Sequence, residues 1–333
     1  MSPILLSIVV PIYNVYDEFE ILGEELLSFI TKVTGAEVLL IDDGSNDGSG
    51  DLADNFASSS ERITVIHQDN AGLSAARNKG LLRASGKYIW FLDGDDLFNQ
   101  DTISNTLEDL RLGDIDVLWY PHETFTKFIS SEKLEQPDTN YDVHLDKTQA
   151  TGVDMLVYLG NSKVENYAWS YIARTELLRE NNITFPLSRS YEDVATTYKV
   201  FFLSKEIKIS SSNLVYYRQR QDSIITKIGF NNIDDVLIVN DEVEVFLKDK
   251  KIDDIKNLLM FKNVMLAEEF LTFNKKKLQK DDPERFKSLS KTINLKINEI
   301  SSRGFSLKNR VKLALVKLRV FFIIKRIKNM VHS

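Results

Sequence analysis

Val38-Leu-Leu-Ile-Asp-Asp-Gly-Ser45 and Tyr88-Ile-Trp-Phe-Leu-Asp-Gly-Asp-Asp96 each carry an apolar, β-rich run directly into a cluster of aspartates. In an open parallel α/β sheet the ligand crevice lies outside the carboxyl ends of the strands, so Asp42, Asp43, Asp93, Asp95 and Asp96 are expected where chemistry happens. Hard cations such as Mg²⁺ and Mn²⁺ take oxygen ligands and bridge one or two carboxylates to substrate phosphates. The two clusters therefore imply a metal-bridged substrate that carries phosphate.

Working outward, the first 120 residues alternate β-branched runs with helical patterns. Leu6–Ile12, Glu37–Asp42, Ile63–His67, Tyr88–Asp93 and Val117–Tyr120 read as strands. Phe19–Val33, Asp47–Ala57, Leu73–Ala84 and Thr102–Leu112 carry apolar residues at helical spacing. That alternation predicts repeated βαβ units: an α/β fold with a Rossmann-like, mostly parallel sheet flanked by helices. From His122 to Gln149 the periodicity decays into a polar stretch, expected as a long surface excursion near the substrate. Residues 150–228 resume mixed structure. Beyond 231 the pattern is helical and charged, which predicts a C-terminal helical appendage.

Composition removes several classes of chemistry. With no Cys, disulfides, thiolate metal sites and a Cys nucleophile are excluded, and a reducing compartment suits the chain. The four His, at 67, 122, 144 and 332, have no metal-ligand spacing, so zinc is not expected. The net charge of −7 hides an asymmetry, because nine basic and no acidic residues follow Glu299. An acidic body with a basic tail argues against nucleic acid and directs the tail alone to an anionic surface. The apolar Ile4–Ile12 run lacks a basic leader and is not expected to be a signal peptide. No run reaches the roughly 18 apolar residues of a spanning helix, so the protein is expected to be soluble or peripheral.

Phosphates must be held without a glycine cradle. No G-x-G-x-x-G follows the first strand, and Gly80 stands one residue too far from Gly86-Lys87 for a P-loop, with Tyr88 where Ser or Thr would hold magnesium. Several residues have two readings. Tyr13 offers an aromatic face to a base or is a half-buried strand end. One Asp of the Asp42-Asp43 pair can accept a pyrimidine ring N–H, whereas Ser45 and Asp47 also suit a turn and a helix cap. Arg77, in Asn70-Ala-Gly-Leu-Ser-Ala-Ala-Arg-Asn78, suits a phosphate or a nearby Asp. Asp93-Gly-Asp-Asp96 is either a solvated turn or a set of like charges awaiting a cation.

Ser7-Ile-Val-Val-Pro-Ile-Tyr-Asn14, Val38–Ser45, Gly72-Leu-Ser-Ala-Ala-Arg-Asn78 and Phe91–Asp96, in this order and spacing, resemble glycosyltransferase family 2. The likeness continues more weakly through Ala168-Trp169, Tyr191-Glu192-Asp193 and Tyr217–Ile224. It implies the GT-A fold and an inverting sugar transfer from a nucleotide-sugar donor, usually a UDP-sugar, with Mn²⁺ or Mg²⁺. Pro11, Tyr13 and Asp43 match the positions around uridine, and Arg77 falls in the donor half. Asp93 and Asp95 match the Asp-x-Asp pair, with Asp95 as direct metal ligand and Asp96 in support. Asp193 matches the general base, and Glu192 is placed to orient it. The carboxylates of Glu192 and Asp193 also suit a helix N-terminus, and Trp169 suits either an acceptor sugar or the core.

The resemblance makes residues 1–230 a catalytic domain, with 1–120 the donor half and 121–230 the acceptor half, and 231–333 a helical region ending in the basic tail 303–333. The implied acceptor is a lipid-linked or protein-linked glycan of bacterial surface polysaccharide or glycoconjugate synthesis. The implied location is cytoplasmic, peripheral at the inner face of the cell membrane. Two rivals remain: a non-catalytic carbohydrate-binding or scaffold protein on the same fold, and a nucleotidyltransferase, which would release pyrophosphate. In the tail, Lys308, Lys312, Arg319 and Arg326 share one side of the wheel while Arg310, Lys317 and Lys328 fall nearly opposite. The two apolar faces between them suit a helix docked on the body and on lipid, or a homodimer contact.

Overall fold

A computed structural model describes residues 3–125, 127–130, 133–135, 145, 147–219, 228–318 and 321. Arg220, most of the 126–146 segment and the tail beyond 318 (Phe321 apart) lie outside the described residues, and with them the tail cations from Arg319 to Lys328.

The elements in chain order begin with β1 (Leu6–Ile12), α1 (Tyr16–Lys32), β2 (Ala36–Asp42), α2 (Ser49–Ser58), β3 (Ile63–His67), α3 (Leu73–Arg83) and β4 (Tyr88–Phe91). There follow β5 (Leu97–Phe98), α4 (Gln100–Leu112), β6 (Val117–Trp119), β7 (His122–Phe125), β8 (Lys127–Ser130), β9 (Lys133–Glu135), β10 (Gln149–Ala150) and α5 (Gly152–Gly160). The chain continues through β11 (Tyr171–Arg174), α6 (Thr175–Glu180), α7 (Glu192–Leu203), β12 (Ile207–Ile209) and β13 (Val215–Arg218). Five helices close the list: α8 (Phe230–Phe246), α9 (Asp253–Phe273), α10 (Lys275–Asp281), α11 (Pro283–Glu299) and α12 (Leu307–Lys317).

Every side chain of β1 is buried, as a strand covered on both faces by helices requires. The main sheet runs β10-β12-β6-β11-β4-β1-β2-β3. Pairings β1–β2, β1–β4, β2–β3 and β6–β12 are parallel, while β11 enters antiparallel to both β4 and β6, and β10 antiparallel to β12. The expected mostly parallel sheet is therefore present, with β11 reversed inside it and β10 reversed at its edge. Register sets Ile12 beside Asp42 and Asp42 beside His67, so three strands end together at the site edge.

Element ends differ from expectation for local reasons. Helix α4 starts before Thr102 because Asn99 caps it, accepting the Thr102 N–H at 2.9 Å. Helix α2 starts after Asp47, whose carboxylate is spent on the backbone N–H groups of Tyr16 (3.0 Å) and Ser49 (3.0 Å). Strand β4 stops at Phe91, since Asp93–Asp96 closes as a turn with Asp96 N–H on the Asp93 carbonyl. The surface excursion expected from His122 is corrected at its start: β7 pairs in parallel with β13, and His122, Thr124 and Phe125 are buried.

The chain separates into two compact units. The first comprises residues 1–155, 165–188 and 192–221 and holds the sheet. Its core joins Ile8, Val10, Phe29, Val38, Leu40, Trp90 and Ile172. The second comprises 156–164, 189–191 and 222–333, with α8 to α12 around Ile233, Val236, Phe261, Val264, Ile293, Phe305 and Leu313.

Candidate active site

The site is assembled at the carboxyl ends of β1, β2 and β4. Beyond β2, Gly44 (φ +75°) turns the chain so tightly against the next loop that a Cβ there would meet Asn70 N at 2.9 Å. Asp42 Oδ1 accepts the Ser45 N–H at 3.0 Å, and Ser45 Oγ accepts the Asn14 N–H at 3.2 Å, so this loop is stitched to the one after β1. Asp43, 3% exposed, spends both oxygens on the following loop: Oδ1 on Gln68 Nε2 (2.7 Å) and Ala71 N (2.9 Å), Oδ2 on Gly72 N (2.8 Å). It thereby fixes the start of α3. Pro11 is buried, and Tyr13 stands 49% exposed just past it.

The β4 turn closes on β1. Gly94 approaches so closely that a Cβ would lie 2.8 Å from the Pro11 carbonyl oxygen. Asp93 and Asp95 are half-buried, whereas Asp96 is buried and accepts the Arg218 N–H at 2.8 Å, anchoring β13 beneath the turn. Arg218 itself pairs with Glu18 at 2.6 Å.

Arg77 is the hinge pin of the arrangement. Only 3% exposed, its guanidinium donates through Nη2 to Asp93 Oδ1 (2.6 Å) and through Nη1 to Glu192 Oε1 (2.7 Å). The carboxylate reading left open by the sequence is thus the observed one. The guanidinium lies 5.3 Å from the Phe185 ring centre, and Asn78 seals the same segment with two bonds, donating to the Phe185 carbonyl (2.7 Å) and accepting its N–H (2.8 Å). The Arg-Asn pair on α3 therefore joins the β4 turn to the start of α7.

At that start, Tyr191 has φ +62°, which costs a bulky residue roughly 1–3 kcal/mol and is tolerated where the surroundings enforce it. It brings Glu192 and Asp193 into the first turn of α7, where the helix dipole favours carboxylates. Burial, and then the Glu192 carboxylate, push the Asp193 pKa up to about 7, against the pull of Arg77. Asp193 is thus poised to exchange a proton near neutrality.

Beside the carboxylates lies an aromatic cluster that the sequence did not reveal. Tyr167 stacks on Trp169 (centroids 4.5 Å apart, 13° between planes), Tyr217 tilts against both, and His122 meets Trp169 edge-on at 4.8 Å. Trp169 is buried, so of its two readings the core one holds. Burial pushes His122 down to about 4, leaving it neutral. Burial and then Asp96, Asp95, Asp93 and Asp193 push the Tyr217 hydroxyl up to about 12, a sign of how closely the acids surround it.

Among the described residues no three His, Asp or Glu side chains converge as a ready cation cage. A divalent cation needs none, since Mg²⁺ is commonly held by one or two carboxylates together with water and substrate phosphate. The half-exposed Asp93 and Asp95 would supply that donor set, and the acids around one buried guanidinium leave a negative balance that a cation would offset.

A glycosyl transferase family 2 model matches residues 7–202, which run from β1 almost to the end of α7. The chain belongs to glycosyltransferase family 2. This family member is 30% identical to the glycosyltransferase GlyG of Streptococcus pneumoniae over 75% of its own length and 80% of GlyG. It is 31% identical to the uncharacterized glycosyltransferase EpsJ of Bacillus subtilis over 66% of its length, and spans 62% of EpsJ. Its fold, GT-A, is also that of S. aureus TarS residues 1–349, crystallised with UDP-GlcNAc: TM-score 0.68 at 19% identity, covering 96% of this chain and 88% of that one.

Proposed function

We propose that this protein is an inverting hexosyltransferase that moves a sugar from a UDP-sugar to a glycan acceptor in bacterial surface polysaccharide or glycoconjugate synthesis. The observation that carries the reading is the Arg77 fork, which holds the Asp93 turn and the helix bearing Asp193 in one constellation. The donor class is supported by the likeness in fold to TarS, whose structure contains UDP-GlcNAc.

Pro11 and Tyr13 flank the nucleoside, with Tyr13 offering its exposed ring to the base. Asp43, already saturated by the 68–72 loop, shapes the wall against which the base sits. Asp93 and Asp95 would hold Mg²⁺ or Mn²⁺, which when bound neutralises charge on the leaving diphosphate. Asp96 supports them from below through β13. Asp193 takes the proton of the acceptor hydroxyl as its oxygen bonds to the anomeric carbon. The bond from that carbon to phosphate breaks on the opposite side, and the nucleoside diphosphate leaves with the electron pair. One displacement inverts the centre. Glu192, fixed by Arg77, keeps Asp193 aimed and its pKa high.

The test is a panel of UDP-, GDP-, dTDP- and CDP-sugars with Mn²⁺, reading nucleoside diphosphate release in wild type and Asp193→Asn. Release from one donor, lost in the variant while donor binding persists by calorimetry, is the expected result. Neither release nor binding would favour a non-catalytic carbohydrate-binding protein, and pyrophosphate in place of nucleoside diphosphate would identify a nucleotidyltransferase.

A further inference from the structure

Helix α12 is apolar on two opposite faces, and among the described residues one of them is packed into a core. Leu313 and Val316 are buried in the core of the helical unit. The seating is fixed by Asn309 donating to Asn161 Oδ1 at 2.9 Å, Arg310 Nε donating to the Phe305 carbonyl at 2.9 Å, and Lys317 donating to the Ile300 carbonyl at 3.3 Å. The opposite face is then set outward: Leu307 is 78% exposed, Val311 50% and Leu318 70%, with exposed Ala314 between them. These four positions, spaced i, i+4, i+7 and i+11, form one continuous stripe on a 3.6-residue period.

The borders of that stripe are cationic. At about 100° per residue, Lys308 lies on one edge and Arg310 and Lys317 on the other, while Lys312 turns its ammonium over the Phe261 and Phe321 rings. No acidic residue occurs after Glu299, so the helix itself carries no carboxylate. An apolar stripe edged on both sides by cations is complementary to a layer whose surface is anionic and whose interior is hydrocarbon. A protein partner would need an apolar groove with acidic rims on both sides, whereas an anionic bilayer presents both properties everywhere.

We propose that the outer face of α12 is an interfacial membrane anchor, lying in the plane of an anionic lipid surface with Leu307, Val311, Ala314 and Leu318 in the acyl boundary. Among the described residues no helix is long and apolar enough to span a bilayer, so attachment through α12 would be peripheral. The inference does not depend on the sugar chemistry.

The full chain is floated with vesicles of equal parts phosphatidylglycerol and phosphatidylcholine, beside vesicles of phosphatidylcholine alone. A variant carrying Leu307→Ser, Val311→Ser and Leu318→Ser is run in parallel, with its thermal unfolding as the folding control, since these side chains support no core. Binding to the anionic vesicles, weakened about tenfold or more by the triple change and by molar salt, is the expected result. Equal binding of wild type and a folded variant would overturn the anchor. So would a wild type that ignores both vesicles but self-associates in solution in a manner the variant loses, because the stripe would then meet a second copy of the chain.

Discussion

A single guanidinium decides how the two acidic clusters behave. Arg77 pairs with one carboxylate from each side of the site, Asp93 and Glu192, and its field also lowers the pKa of Asp193. Under the proposed role of Asp193 as base, with its pKa pushed up to about 7, kcat/KM is expected to fall as pH drops below about 7, because the required form is the deprotonated one. Arg77→Gln removes the pull that favours the carboxylate, so the acid limb of the pH profile should move to higher pH. The same change leaves Glu192 and Asp93 unpaired and should destabilise the fold by about 3–5 kcal/mol. Arg77→Lys, which keeps the charge but not the two-pronged reach, should restore the position of the limb better than it restores stability. A pH series beside denaturant unfolding measures both.

His67 behaves differently. It bonds Asp42 through Nδ1 at 2.8 Å and Asp54 through Nε2 at 3.2 Å, and the Asp42 bond, helped by Asp54, raises its pKa against the effect of burial. Its stabilisation is complete below the unfolded value of about 6.5 and fades as pH rises through the raised folded value. His67→Gln should therefore cost more at pH 5.5 than at pH 8.5. The gap should stay under about 1 kcal/mol because the ring is half exposed and screened. Unfolding midpoints at the two pH values would reveal a reversed order if the ion pairs were not formed.

At the scale of elements, the strands and helices up to β6, the two-residue β5 apart, were legible because each β-branched run ends in a polar turn and each helix repeats its apolar face. Strand β11 was not, since four residues after the Trp169 turn carry too short a pattern to announce a strand wedged antiparallel between β4 and β6. The site divides in the same way. Aspartates at strand ends can be read from their position, whereas Asp43 serving Ala71 and Gly72, Asp96 serving Arg218 and Arg77 serving Glu192 are long-range pairings with no local trace. His122 looked like the opening of a loop because its aromatic neighbours lie at 167, 169 and 217.

Two substitutions test element packing. Gly94→Ala would set a methyl against the Pro11 carbonyl and should cost about 1–3 kcal/mol, together with loss of donor affinity, since the turn and the end of β1 must part. In α8, Asn240 is fully buried and neither side-chain amide atom has a hydrogen-bond partner among the described residues. Asn240→Leu, of similar shape, removes that penalty and should raise stability by about 1–3 kcal/mol. Urea midpoints check both, and a destabilised Asn240→Leu would mean that the amide is solvated in the folded protein.

Over the whole molecule, the two units do not follow each other along the chain. Segments 156–164 and 189–191 belong to the helical unit although they are flanked by the sheet unit. Within the helical unit Arg189 pairs with Glu242 at 2.8 Å, Ser190 N–H is accepted by Asp235 at 2.9 Å, and Gly160 lies against Leu258 with no room for a Cβ. A chain ending at residue 221 loses every one of these partners. It should unfold several degrees below the full chain and bind donor more weakly, although it retains all the site residues. Calorimetry of the two chains measures the difference, and equal unfolding temperatures would show that the inserted segments contribute nothing.

The Arg77 fork also has a temporal side. Its two carboxylate partners are 16 and 115 residues away along the chain. At synthesis rates of about 5–20 residues per second, Asp93 leaves the ribosome within about a few seconds of Arg77, whereas Glu192 follows on the order of ten seconds later. During that interval the first four parallel strands are all present, yet one prong of the buried guanidinium in their midst still lacks its carboxylate. The sheet unit is therefore expected to reach its final packing around Arg77 only once α7 has been made, and under the proposed function an early-terminated chain would lack both that packing and the proposed base.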